Sequence, residues 1–460
     1  MLFISCVLPA KNSQKKITIN SINVLTSVTE SNCIYVVSGI VDLKGKTIDM
    51  PSNCVLDFGK GAIINGIFNG NGTQLIALHK KCIGVRFKGT WVAPKIDDVY
   101  FDSDFLTDDQ IISSVNFLQN DDIYNSIILR KDSYNCSINS GGYLLKLTSN
   151  TKLALNTTIT IEGNNYEGYN IIRIKDKKNI EITGGILIGD VGNHNYVDGS
   201  SSQWGHGLYI HNSEDIKVNN MIVMKCIGDG FTVTGGSALY YGDMSQASRN
   251  VEIENVVARY NRRQGISIIH AENVTVKNSV FSDTGTIESH SPSAGIDIEP
   301  NLDPFFQATR YIRVYNCFFE RNVGASILSN HYESSDSTMS VSSVEFVNCF
   351  CDGRVELHTG GMIFRRTKMS SFELCAERNL IEDVKLISCK ISENGIKLNC
   401  VNRKKGSYTG IRNLRFDKCD INILNHNWEA NNRNPVAYGG NKENIEDVIF
   451  RNCNIYIIDK

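Results

Sequence analysis

Two carboxylates stand two residues apart in Gly295-Ile296-Asp297-Ile298-Glu299. In an extended strand such residues share a face, with Cα atoms about 6.5–7 Å apart at a rise of about 3.3 Å per residue. That is near the separation of roughly 5–9.5 Å at which paired acids cleave glycosidic bonds, and neighbouring acids with divergent pKa values divide acid and base roles. The same pair also reads as two solvated surface acids, or as a calcium site, calcium being the one cofactor the sequence raises. Asp229, in Gly228-Asp229-Gly230, is a third candidate, although Asp before Gly is also ordinary turn chemistry. Arg262, Arg263 and Gln264 follow one another in a third segment. Adjacent arginines bind carboxylate or sulfate, or solvate a turn. His270 ends that segment and is an acid/base candidate, or a satisfied core histidine.

These residues become one site only if the chain stacks the segments that carry them, and a repeat shows that it does. Alternating apolar residues, an Asn, and another alternating run recur as Ile216-Lys217-Val218-Asn219-Asn220-Met221, Val251-Glu252-Ile253-Glu254-Asn255-Val256, Val274-Thr275-Val276-Lys277-Asn278-Ser279 and Ile312-Arg313-Val314-Tyr315-Asn316-Cys317. Later copies end in Asn348-Cys349, Ser388-Cys389, Lys418-Cys419 and Asn452-Cys453, at spacings of 23 to 40 residues. The alternation is that of a strand, and repetition at this period marks a solenoid. The Asn is a corner, a residue tolerant of the left-handed conformation. Stacked corners allow amide-to-amide hydrogen bonds along the axis. The residue after the corner points inward, so five of the 14 cysteines are small buried hydrophobes in a column. No CxxC pair occurs, which weighs against zinc and against a disulfide framework.

A third strand in each turn follows a glycine: Gly207-Leu208-Tyr209, Gly230-Phe231-Thr232, Gly265-Ile266-Ser267, Gly295-Ile296-Asp297 and Gly324-Ala325-Ser326. Three strands per coil without intervening helices define an all-β fold, a single-stranded right-handed parallel β-helix. Thr107-Asp108-Asp109-Gln110 is a capping-box pattern, followed by an apolar face of Ile111, Ile112, Val115 and Leu118. A helix over 107–119 is expected to plug the N-terminal end of the solenoid. The domains expected are residues 1–19 as signal remnant and linker, 20–100 as a β-rich module or irregular first coils, and 101–460 as the β-helix.

The Asn corner is tight, whereas long segments flank the Gly-led strands: 189–205, 235–249, 284–293, 301–309 and 329–341. Long loops on a rigid scaffold carry binding residues, and here they wall a groove whose floor is the Gly-led strands. Leu208, Phe231, Ile266, Ile296 and Ala325 point inward. Tyr209, Thr232, Ser267, Asp297 and Ser326 face the groove, with His211 and Glu299 beside them. Trp204, Tyr240, Tyr241, Phe305, Phe306 and Tyr332 suit sugar rings, or pack the loops onto the helix.

Residues 140–330 resemble the pectin-lyase-like superfamily, and polygalacturonase-type hydrolases in particular. Asn179-Ile180-Glu181-Ile182-Thr183-Gly184-Gly185 through Gly189-Asp190 is similar to that family's opening coil. Cys226-Ile227-Gly228-Asp229-Gly230 stands where the family has paired aspartates, Gln264-Gly265 where it has His-Gly, and Asp297 and Glu299 where it has Arg and Lys. His206 lies nearest the first catalytic Asp. The resemblance implies the fold and a polysaccharide or oligosaccharide partner. The charge inversion at Asp297 and Glu299 turns the expectation away from a uronate at that point and toward a neutral or amino sugar, or a metal-assisted reaction.

The sequence therefore favours a glycoside hydrolase using Asp297, Glu299 and Asp229, with Arg262, Arg263, Gln264, His270, His206, Trp204 and Tyr209 binding substrate. A lyase or epimerase on an acidic glycan is the alternative, and a non-catalytic glycan-binding or tail-like adhesive helix the third. A net charge of −2 gives no basic surface for nucleic acid, and no apolar run approaches the roughly 20 residues of a membrane span. Leu2-Phe3-Ile4-Ser5-Cys6 resembles the tail of a bacterial lipoprotein signal whose earlier part lies upstream. That reading implies export to the periplasm, outer membrane or exterior, with membrane attachment only through a lipid on Cys6. The alternative is a disordered terminus.

Overall fold

The computed structural model describes residues 14–59, 61–76, 82–92, 99–100, 107–119, 126–129, 131–139, 142–199, 201–240, 242–301, 306–330, 341–377, 379–401, 409–431 and 433–459. Cys6, Tyr241, Phe305 and Tyr332 lie outside these residues. Strand accounts for 57% of the structure and helix for 5%, which makes the chain all-β. It divides into two compact units, 1–131 and 132–460. The boundary anticipated at 100/101 thus falls inside the first unit.

In the first unit seven strands between Lys16 and Val92 form a sheet in which every pairing is parallel. The helix anticipated at 107–119 forms over Asp108–Gln119, with Ile111, Ile112 and Val115 buried. It belongs to this unit.

The second unit is a right-handed parallel β-helix. Each strand pairs in parallel with its counterpart one coil later, so one wall reads Glu214–Asn219, Ser248–Glu254, Ala271–Lys277, Thr309–Tyr315 and Val341–Val347. The corner residues behave as their chemistry dictates. Asn220, Asn255, Asn278, Asn316 and Asn348 have φ of 52–58°, and Asn348 Nδ2 donates to Asn316 Oδ1 (3.2 Å) while Asn316 Nδ2 donates to Asn278 Oδ1 (3.1 Å). Met221, Val256, Ser279, Cys317 and Cys349 are buried directly after them, as are Cys389 and Cys419 after the corners Ser388 and Lys418, whereas Cys453, expected inward after Asn452, is only partly buried. The core continues as aromatic stacks, with Phe281 on Phe319 (5.5 Å) and Phe346 on Phe364 (5.0 Å).

The Gly-led strands are Trp204–His211, Asp229–Thr234, Gln264–Ile268 and Ala294–Ile298. Their register aligns Leu208, Phe231, Ile266 and Ile296 inward and Tyr209, Thr232, Ser267 and Asp297 outward. Glycine is required where coils approach most closely: a Cβ on Gly265 would lie 2.4 Å from the Gly295 carbonyl oxygen. The fifth strand corrects the sequence reading. It is Ile327–Ser329, so Ile327 and Leu328, not Ala325 and Ser326, stack on Ile296 and Asp297. Residues 324–326 instead form the approach to the strand, tied by Gly324 N–H to the Ser293 carbonyl (2.9 Å) and by Ser326 N–H to the Arg354 carbonyl (2.9 Å).

Candidate functional site

Outside the Gly-led strands lies a groove of about 980 Å³. Its floor carries Tyr209, Thr232, Asp229 and Glu299, and its side carries Trp204, His206, Arg263 and Arg173. Asp229 opens its strand and Glu299 directly follows the strand Ala294–Ile298. Arg263 enters the coil between them, which places its guanidinium within reach of both.

That guanidinium is the centre of the site. Arg263 Nη1 donates to Asp229 Oδ1 and Oδ2 (3.1 and 3.3 Å), and Nη2 donates to Glu299 Oε1 and Oε2 (3.0 and 2.8 Å). All three side chains are at least nine-tenths buried. A fork with two donor edges matches two carboxylates where a lysine would match one. Burial pushes the Glu299 carboxyl up, the Arg263 charge pulls it back, and the result is a raised pKa.

Asp297 does not face the groove as the alternation implied. It is wholly buried, with Gln264 Nε2 donating to its Oδ2 at 2.8 Å and Asn330 Nδ2 donating to the same oxygen at 3.0 Å. The phase of the strand is outward, but side chains from the coils on either side close over it. Burial first, and then the Glu299 charge, raise its pKa well above the carboxylate range. Gln264 is therefore a support for Asp297, with its own Oε1 accepting from Ala294 N–H (3.1 Å).

His206 lies on the groove beside Asp229. The Asp229 N–H donates to His206 Nδ1 at 3.2 Å, which requires that nitrogen to be unprotonated. Burial lowers the His206 pKa, against the pull of Asp229. Thr232 Oγ1 donates to Asp229 Oδ2 (3.1 Å). Tyr209 stacks on His206 at 5.6 Å and His211 on Tyr209 at 5.9 Å. Trp204 is half-exposed at the groove, with the Arg263 guanidinium 5.8 Å from its ring. These rings form an aromatic edge along one strand.

Two expected binders stand elsewhere. Arg262 is a loop clasp: Nη1 donates to the carbonyls of Ser201 and Ser202 (3.0 and 2.9 Å), and its guanidinium lies 4.6 Å from the Tyr196 ring. Successive residues point opposite ways, so only one of the paired arginines reaches the acids. His270 is buried, its Nδ1 accepting from Ala308 N–H (3.1 Å), away from the groove. Of the loop aromatics, Tyr240 and Phe306 are exposed and neither lines the groove.

Sequence reasoning missed Asn170 and Arg173 on the preceding coil, and Asn301 and Gln307 on the following loop. Arg173 pairs in register with Tyr209, and Asn170 with His206. The strand Gly168–Lys175 also begins with glycine, which was the available signal. Asp190 was missed as well. It gathers Tyr169 OH, which donates to Oδ1 (2.6 Å), Asn164 Nδ2, which donates to Oδ2 (2.9 Å), and His194 Nδ1, 2.8 Å from Oδ2, and so fixes His194 against the preceding coil.

No family model matches the chain. Among curated proteins it is similar to the SPbeta prophage-derived uncharacterized protein YorA of Bacillus subtilis strain 168, 28% identical over 162 residues, or 34% of this chain and 28% of YorA. It is also similar to the uncharacterized protein YclG of the same strain, 29% identical over 185 residues, or 38% of this chain and 32% of YclG. The matched part thus spans about a third of those relatives or less. Among solved structures it is similar to the A-module of the mannuronan C-5 epimerase AlgE6 of Azotobacter vinelandii (TM-score 0.48, 13% identity, 77% of this chain and 96% of that one). It is likewise similar to PfbA, a surface adhesin of Streptococcus pneumoniae (TM-score 0.47, 13% identity, 77% and 90%). The endo-xylogalacturonan hydrolase of Aspergillus tubingensis is a further likeness (TM-score 0.42, 8% identity, 72% and 85%).

Proposed function

We propose that the protein binds a polysaccharide along this groove and hydrolyses it, with Asp229 and Glu299 as the reacting carboxylates. One observation carries the reading: two groove-lining acids, on the coils before and after that of Arg263, are held at the two edges of its buried guanidinium. In this mechanism Glu299, whose pKa burial raises, gives its proton to the glycosidic oxygen. Asp229 acts on the other side of the sugar as base or nucleophile. Arg263 keeps both carboxylates oriented and stabilises the charge left on Glu299 after transfer. Trp204 and Tyr209 offer ring faces to the sugar. Asp297 supports the floor from beneath.

The test is digestion of a glycan library by wild type, Asp229→Asn and Glu299→Gln. New reducing ends from the wild type, lost in both variants, are the expected result. Full activity in either variant removes that residue from the chemistry. Retained glycan binding without turnover by the wild type leaves an adhesive role.

A lyase or epimerase acting on an acidic glycan is a second reading, favoured by Arg173. This arginine lines the groove and makes no ion pair among the described residues, so it is placed to neutralise a uronate carboxylate. His206, kept neutral by burial with Nδ1 accepting from Asp229 N–H, carries its proton on Nε2 and would be the acid. An unsaturated product that absorbs in the ultraviolet separates the lyase from the hydrolase, and an altered sugar without chain cleavage marks the epimerase.

A further inference from the structure

Further along the same face of the helix, the strand Arg354–Leu357 pairs with Lys368–Ala376, aligning Glu356 with Glu373 and Leu357 with Leu374. The next step of that register sets His358 beside Cys375, and Cys375 in turn pairs with Asn399 on the following strand. Leu357, Leu374 and Leu398 point into the core, which turns Glu356, His358 and Cys375 to the outer face. Cys375 thus departs from the corner cysteines Cys317, Cys349, Cys389 and Cys419, whose side chains are small core residues. Among the described residues, Glu356, His358 and Cys375 are the one group of three or more such side chains whose donor atoms all lie within 4.8 Å of one another.

We propose that Glu356, His358 and Cys375 form a binding site for a divalent first-row transition metal, zinc by its donor set. Carboxylate, imidazole and thiolate are zinc ligands in both structural and catalytic sites, and a thiolate selects against calcium and magnesium. The donors are fixed as a metal site requires. Arg354 Nε donates to Glu356 Oε2 at 2.5 Å, which leaves Oε1 for the ion. His358 Nε2 already lies 3.0 Å from that Oε1. The His358 main chain is pinned on both sides, its N–H donating to Ser329 Oγ (3.2 Å) and its carbonyl accepting from Asn379 Nδ2 (2.7 Å). Asn399 Nδ2 approaches Cys375 Sγ at 3.8 Å, a donor from the next coil to the thiolate. Cys375 is nearly buried while His358 and Glu356 are partly exposed, so an ion enters from solvent and keeps a fourth position open to water or a substrate oxygen.

Cobalt(II) is the probe, because thiolate ligation gives it a charge-transfer band and its d–d spectrum reports tetrahedral coordination. The full chain, reduced and stripped of metal, is titrated with cobalt(II) alone and then competed with zinc. The expected result is one equivalent bound with a thiolate band, displaced by zinc. Cys375→Ser abolishes the band and His358→Ala weakens binding at least tenfold, with both apo variants keeping the wild-type circular dichroism spectrum. The other cysteines are internal controls: a band that survives in Cys375→Ser overturns the proposal, as does the absence of stoichiometric binding to the folded wild type.

Discussion

Arg263 lies between Asp229 and Glu299, with Nη1 on the first and Nη2 on the second, and both pairs are buried. The guanidinium is therefore the common counter-charge of two acids from different coils. Its removal leaves Asp229 a buried, unpaired charge and both carboxyls without their guanidinium donors, and breaking one buried pair costs about 3–5 kcal/mol. Arg263→Ala is expected to lose about that much stability in urea unfolding. Arg263→Lys recovers only part of it, because one ammonium cannot serve both edges.

Asp297 gives a pH signature. Its folded pKa is raised, by burial first and by Glu299 second, so the folded state favours the protonated form. That contribution is complete below the unfolded carboxylate pKa of about 4 and is lost as pH rises through the folded value. Asparagine at 297 does not titrate and still accepts from Gln264 and Asn330. Asp297→Asn is therefore expected to melt near the wild-type temperature in acid and above it at neutral pH. A gap that is constant with pH, or that widens toward acid, would show that Asp297 is already ionised in the fold. Under the hydrolytic reading, turnover in this variant is expected to continue, since the carboxyl does not reach the groove.

The phase of this architecture is legible in sequence because one chemical demand repeats at every coil. Each tight corner needs a left-handed residue, and Asn316 and Asn348 supply it at φ of 52° and 54°. Each residue after the corner must be apolar or small. What is not legible depends on reach between coils. Arg262 and Arg263 are equivalent as letters, and only the fold turns one to a loop and the other to two acids. Asp297 has the right parity for the groove, but Gln264 and Asn330 from adjacent coils cover it. Arg173 escaped because Ile171-Ile172, both buried, break the alternation that marks a floor strand.

The close approach of coils beneath the groove sets a steric test. A Cβ at Gly265 meets the backbone carbonyl of Gly295, which has no rotamer through which to move aside. Gly265→Ala is expected to cost about 1–3 kcal/mol and to shift the strand that carries Arg263 and Gln264. A lower melting temperature, together with weakened turnover under the hydrolytic reading, is the outcome that thermal unfolding and activity assays should show.

Trp204 separates binding from chemistry. Its ring lines the groove and is half-exposed, so its loss leaves the buried core untouched. Aromatic contacts of this kind contribute about 0.5–1.5 kcal/mol, a loss of roughly two- to tenfold in affinity. Trp204→Ala is expected to weaken glycan binding by that factor in calorimetry, with the melting temperature unchanged. Under the hydrolytic reading KM rises while kcat holds, because Asp229 and Glu299 keep their places on Arg263. A fall in kcat with KM unchanged would instead assign Trp204 to the reacting sugar.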